Sequence, residues 1–203
     1  MRRLTPAALS AVLLTATLAA ARPPALAAQI SPLSAEGRGG ASLPIGDFRT
    51  GPDQGGTLRG APTFGVHFVY RGPSGWGPYV GFSQHRFGCR RDGCPAGADG
   101  AREYVDTNWD LGMQRTLGKY LWLRAGFLFG RLERDFDVAG RPARRVSSLS
   151  AGAEGGAGFH FPIQSRIWIG PGVRWGWLNT RFPDHGLVRM RWLAADVGMA
   201  LGF

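Results

Sequence analysis

Along most of this chain, large apolar residues fall at every second position. "PTFGVHFVY" (62–70) puts Phe64, Val66, Phe68 and Tyr70 on one side and small or polar residues on the other. "LAADVGMALGF" (193–203) sets Leu193, Ala195, Val197, Met199, Leu201 and Phe203 against Ala194, Asp196, Gly198, Ala200 and Gly202. A period of two marks strands with two unlike faces. The 32 glycines argue against helices, because each interior glycine costs a helix about 1 kcal/mol. Eight such segments are predicted: Leu33–Phe48, Pro62–Tyr70, Pro78–Phe87, Tyr104–Thr116, Tyr120–Arg134, Val146–Phe161, Ile167–Asn179 and Leu187–Phe203.

The connections alternate in length. "RGPSGWG", "TLGK" and "PIQSR" are short, whereas "RTGPDQGGTLRGA", "GCRRDGCPAGADGARE", "DFDVAGRPARR" and "TRFPDHG" are longer or more polar. Eight antiparallel strands joined in this way predict an all-β fold, an up-and-down transmembrane barrel with its short turns toward the periplasm. A soluble barrel needs the opposite polarity, with an apolar lumen. A sandwich could bury the apolar face, but its glycine-rich faces would then serve no purpose in water. Inside an eight-stranded barrel the space barely accommodates side chains, and small residues leave room for charged ones.

The predicted lumen face carries the acids Glu36, Asp106, Asp110, Glu154 and Asp196 and the bases Arg38, Arg124 and Arg174, with His67, His85 and His160 beside them. Charges in so narrow a space need partners. Glu154 lies on the strand between those of Arg124 and Arg174, and is the expected shared partner of both. Pro171 falls inside the seventh strand, where a missing ladder donor predicts a bulge or an irregular pairing.

Residues 1–27 read as a secretory signal peptide: Arg2 and Arg3, an apolar run, then Ala25-Leu26-Ala27. Residues 28–203 are the expected barrel. In an exported chain, Cys89 and Cys94 of "CRRDGC" are expected to form a disulfide. The formal net charge is +10, carried almost wholly by arginine. Most arginines fall toward the expected outer end, and Arg86, Arg131, Arg189 and Arg191 point outward there. Arginine binds phosphate in two-pronged fashion, so these four are the expected lipopolysaccharide contacts.

Other chemistry finds little support. His67, His85 and His160, three of the four histidines, fall on the lumen face rather than where a lipid substrate would meet them, so no catalytic set is read. "GAEGGAG" and "GPGVRWG" do not open helices and are not phosphate loops. No cofactor and no metal set is expected, and a strand wall offers nucleic acid no groove-fitting helix.

The "GGASLPIGDF" strand, the "NWDLGMQRTLG" strand and the closing "DVGMALGF" together resemble the OmpA/OmpX-type outer-membrane β-barrel family. The resemblance covers essentially the whole chain after the leader. It implies an outer-membrane location, contact with outer-membrane lipid and lipopolysaccharide, and recognition of the last strand by the barrel-assembly machinery. Val197, Met199, Leu201 and Phe203 match that assembly signal. The expected role is structural or surface-interacting, in a monomer whose polar lumen is largely plugged. A narrow pore or small-ligand transporter is the second reading, and a lipid A-modifying enzyme the third.

Overall fold

The computed structural model describes residues 32–50, 58–89, 101–138, 140–183 and 186–203. The expected signal peptide lies outside them. So does Cys94, and the disulfide expectation with it.

The strands are β1 (Leu33–Pro44), β2 (Leu58–Tyr70), β3 (Trp76–Cys89), β4 (Ala101–Leu117), β5 (Leu121–Val138), β6 (Arg141–Val146), β7 (Ser150–Phe159), β8 (Phe161–Gln164), β9 (Ile167–Phe182) and β10 (Gly186–Gly202). Eight of them close a ring, β1-β2-β3-β4-β5-β7-β9-β10, with β10 pairing back onto β1. All of these pairings are antiparallel. Closure leaves the ring no free edge, which is what lets strands cross a bilayer.

Alternation then decides what faces lipid. Phe64, Val66, Phe68, Val80, Leu111, Phe129, Val173 and Met199 are exposed on the outer wall, and Trp109 and Phe127 reach 64% and 63% exposure. Their neighbours in sequence point inward: Asp110 and Leu128 are both 0% exposed. This exterior is suited to hydrocarbon, not water.

The sixth wall strand departs from the sequence expectation. It is expected as one strand from Val146 to Phe161, and it is built from β6, β7 and β8 in turn. The pairing with β5 moves by one residue between Glu133↔Val146 and Gly130↔Ser150. A bulge absorbs the extra residue. There the Leu132 N–H donates to Ser147 Oγ at 2.9 Å, and the Ser147 N–H donates to the Leu132 carbonyl at 2.9 Å. Above the bulge, β6 and the end of β5 form a hairpin that prolongs the fifth strand well past Arg134.

Pro171 meets the expectation of an irregular pairing, on one side only. It pairs with Val197 in unbroken register along β10. On its other side the ladder stops at Gly158↔Gly172 and resumes at Phe161↔Ile169, so the gap falls at Pro171 and Gly170, opposite the break between β7 and β8 at His160. The His160 N–H instead reaches across to the Tyr120 carbonyl at 2.8 Å.

The first strand ends at Pro44, not Phe48. A 3-10 turn, Gly46–Thr50, follows and carries Phe48 inward until it is 1% exposed. Phe48 meets Phe87 edge-on at 5.2 Å and Tyr104 at 6.0 Å. With Leu58, Leu128, Leu132, Leu178, Phe182, Val188, Met190 and Trp192 they form one buried apolar cluster at the outer end of the lumen. Burial of each such side chain contributes about 1.5–3 kcal/mol.

Inward glycines make room for the large rings. A Cβ on Gly176 would lie 2.2 Å from the Trp192 ring, and one on Gly158 would lie 2.5 Å from Trp122. Alanine at either point would collide with a ring that is itself 0% exposed.

Candidate functional site

Below the apolar cluster the lumen is polar, and its charges are organised around two carboxylates. Glu36 on β1 accepts from Arg124 Nη2 of β5 at 2.9 Å and from Arg71 Nη2 at 3.0 Å. Arg38 Nε stands 3.6 Å from it, as does His160 Nε2. Asp196 on β10 is gripped from both sides, by Arg38 Nη1 and by Arg174 Nε, each at 2.8 Å. Aromatic faces line the same cations. Arg38 lies 4.4 Å from the centre of the Trp122 ring, and Arg124 lies 4.5 Å from that of Tyr79. Such stacking adds attraction where water is excluded.

A second polar group sits beside the first. The Asp110 carboxylate faces His67 Nε2 at 2.8 Å and accepts from Ser83 Oγ at 3.0 Å. Glu154 accepts from the Tyr79 hydroxyl at 2.6 Å. Asp106 takes a bond from Asn108 Nδ2 at 2.5 Å. His85 meets Thr63 Oγ1 at 2.8 Å and stacks on Trp192 at 3.8 Å.

All eight residues expected in the lumen network, Glu36, Arg38, Asp106, Asp110, Arg124, Glu154, Arg174 and Asp196, are at most 4% exposed. The expected partnership is corrected. Glu154 is not the partner of Arg124 and Arg174: Arg124 reaches across the lumen to Glu36, and Arg174 turns to Asp196. Arg174 and Asp196 sit on neighbouring strands, whereas Arg124 and Glu36 meet across the interior, so strand adjacency alone does not decide the pairing.

Three participants escape a residue-by-residue reading. Arg71 looks like a turn residue, yet it continues the inward series His67, Val69, Arg71, and it is 8% exposed. Tyr79 belongs to the inward series of β3 by the same counting. Gln114 on β4 accepts from Arg124 Nη2 at 2.7 Å.

On the outer wall, Arg131, Arg189 and Arg191 are exposed and have no carboxylate partner among the described residues. Arg86 is held in part by Glu103, 3.9 Å away. Arg181, beside Leu187 in the register, belongs to the same rim. Val197, Met199, Leu201 and Phe203 all face outward and are exposed. The Phe203 N–H closes onto the Leu33 carbonyl at 2.9 Å.

No protein-family model and no curated protein matches the sequence. Solved structures match the fold. Neisserial surface protein A (NspA) superposes with a TM-score of 0.54 at 11% identity, covering 85% of this chain and 98% of its own. Ail, the attachment invasion locus protein of Yersinia pestis, was solved alone and with the heparin analogue sucrose octasulfate. Each of those structures superposes with a TM-score of 0.51 at 15% identity, over 85% of this chain and 100% of Ail. The closed ring, its apolar exterior and these superpositions give this chain the fold of the small eight-stranded outer-membrane β-barrels.

Proposed function

We propose that this chain is an integral outer-membrane barrel that does not conduct, and that its outer rim holds the phosphate groups of lipopolysaccharide. The observation that carries the reading is the set Arg131, Arg189 and Arg191. They sit above the apolar band, point outward, and have no carboxylate partner among the described residues. Three guanidinium groups at the level of the lipid headgroups match a leaflet rich in phosphate. Arg86 contributes less, because Glu103 already neutralises part of its charge. Ail was crystallised with sucrose octasulfate, a polyanion, and phosphate is the polyanion that the outer leaflet offers here.

Two features support a closed, non-catalytic lumen. The apolar cluster around Phe48, Phe87 and Trp192 occupies the outer end, and ion pairs cross the space below it. His67, His85 and His160 are buried inside, away from any lipid substrate.

Vesicles of phosphorylated and dephosphorylated lipid A test the proposal. The refolded barrel is expected to prefer the phosphorylated lipid, and the preference to weaken with added salt. Arg131→Ala/Arg189→Ala/Arg191→Ala should abolish it. Equal association of wild type and triple variant with both vesicles would refute the rim reading.

A further inference from the structure

Charge inside the barrel is unevenly matched. Arg38, Arg71, Arg124 and Arg174 make all their ion pairs among the described residues with Glu36 and Asp196. Asp110 and Glu154 lie in the same interior, 0% and 4% exposed, with no guanidinium at ion-pair distance among the described residues, although Arg124 and Arg174 act on them electrostatically from farther off. Glu154 Oε2 is buried with no hydrogen-bond partner at all among the described residues. His67, also 0% exposed, comes to the same point. One ligating atom from each of His67, Asp110 and Glu154 lies within 4.8 Å of the other two.

We propose that these three residues form a binding site for a divalent transition-metal ion, of which Zn2+ is the type, bridging β2, β4 and β7 across the lumen. Buried carboxylates outside any direct ion pair take protons, lean on charge farther off, or coordinate a metal. The converging imidazole favours metal, and favours an ion that accepts nitrogen over Mg2+ or Ca2+, which want oxygen shells. The geometry is near what such an ion needs. His67 Nε2 and Asp110 Oδ2 stand 2.8 Å apart. Two ligands on a tetrahedral Zn2+ at about 2.0–2.1 Å would be separated by roughly 3.3 Å, so this pair must open by about half an ångström while the Glu154 oxygen, within 4.8 Å of both, settles to the same spacing.

The surrounding hydrogen bonds suit this role. Ser83 Oγ holds Asp110 Oδ1 at 3.0 Å, and the Tyr79 hydroxyl holds Glu154 Oε1 at 2.6 Å. Each carboxylate is thus fixed through one oxygen, which leaves the other to ligate, the arrangement by which outer hydroxyls orient metal ligands. The ligands come from three strands, so the site assembles only as the sheet closes.

The test loads the ion during folding. The full barrel is refolded into detergent with Zn2+, passed through a chelating resin, and assayed for metal by mass spectrometry. About one ion per folded chain is expected. Glu154→Gln keeps an acceptor for Tyr79 but removes the ligand charge, and should lose the ion while still migrating as a folded barrel on an unheated gel. Tyr79→Phe leaves all three ligands in place and should weaken binding about 10–100-fold. X-ray absorption of the zinc-loaded wild type should show imidazole nitrogen beside carboxylate oxygen, and this measurement needs no variant to fold. An absence of stoichiometric metal in the folded wild type would overturn the proposal, leaving protonated carboxyls in the lumen. Metal retained in full by Glu154→Gln, or an all-oxygen shell, would overturn it equally, as an adventitious ion only.

Discussion

Asp196 is where the lumen network is most vulnerable, and Asp196→Asn is the perturbation that exposes it. The substitution keeps the shape and leaves one amide oxygen as an acceptor. It removes the charge that two guanidinium groups share, each 2.8 Å away, with all three side chains 0% exposed. Arg38 retains Glu36 at 3.6 Å. Arg174 has no second carboxylate among the described residues, and its Nη1 and Nη2 are already buried without partners. The variant therefore strands one buried positive charge, for which the expected loss is about 3–5 kcal/mol. Denaturant unfolding of the barrel in detergent micelles reads it as a lower midpoint at unchanged slope. Asp196→Asn/Arg174→Met removes the stranded charge and should recover most of the loss. A single variant within about 0.5 kcal/mol of wild type would show that the pairs are solvated and that the network does not hold the barrel together. A double variant no better than the single would refute the stranded-charge argument itself.

The remaining predictions probe packing and polarity. Gly176→Ala drives a methyl into the buried Trp192 ring and should cost about 1–3 kcal/mol, while Gly37→Ala, with open space at its Cβ, should be nearly neutral in the same unfolding assay. Phe48→Ala should cost about 3–5 kcal/mol by emptying the outer cluster, although it sits in a connection; a loss typical of an exposed loop would show that the 3-10 turn does not cap the lumen. Phe127→Arg, on the lipid face at 63% exposure, should destabilise the barrel in bilayers by about 2–4 kcal/mol, and a neutral effect would mean that this face is wet.

The parts of this architecture legible in sequence are those that depend on alternation. One large residue per two positions identifies the outward face of β2, β4 and β10, and the same counting places Glu36, Asp110 and Asp196 inside. What alternation cannot show is distance across the lumen. Glu154 shares a neighbourhood with Arg124 by strand order, yet its bond goes to Tyr79, and Arg124 goes to Glu36. Strand breaks are equally hidden. The bulge at Ser147 replaces ladder bonds with a side-chain acceptor, and "RRVSSLSAG" reads as one continuous strand because serine suits either. Phe48 misleads for a related reason: it fits the alternation of the first strand, but Pro44 ends that strand and the 3-10 turn that follows carries Phe48 into the outer cluster.

The central claim is that one face of each wall strand meets lipid while the next residue along is packed inside. Phe127 and Leu128 are adjacent on β5 and are 63% and 0% exposed. Nitroxide labels on Phe127→Cys and Leu128→Cys, each in a chain with Cys89 and Cys94 replaced by serine, measure this directly in bilayers. The account predicts that the label at 127 collides freely with oxygen dissolved in lipid and rarely with a water-soluble nickel chelate. The label at 128 should collide with neither. A label at 127 open to the nickel reagent would contradict the transmembrane wall, and a label at 128 open to it would contradict the filled lumen.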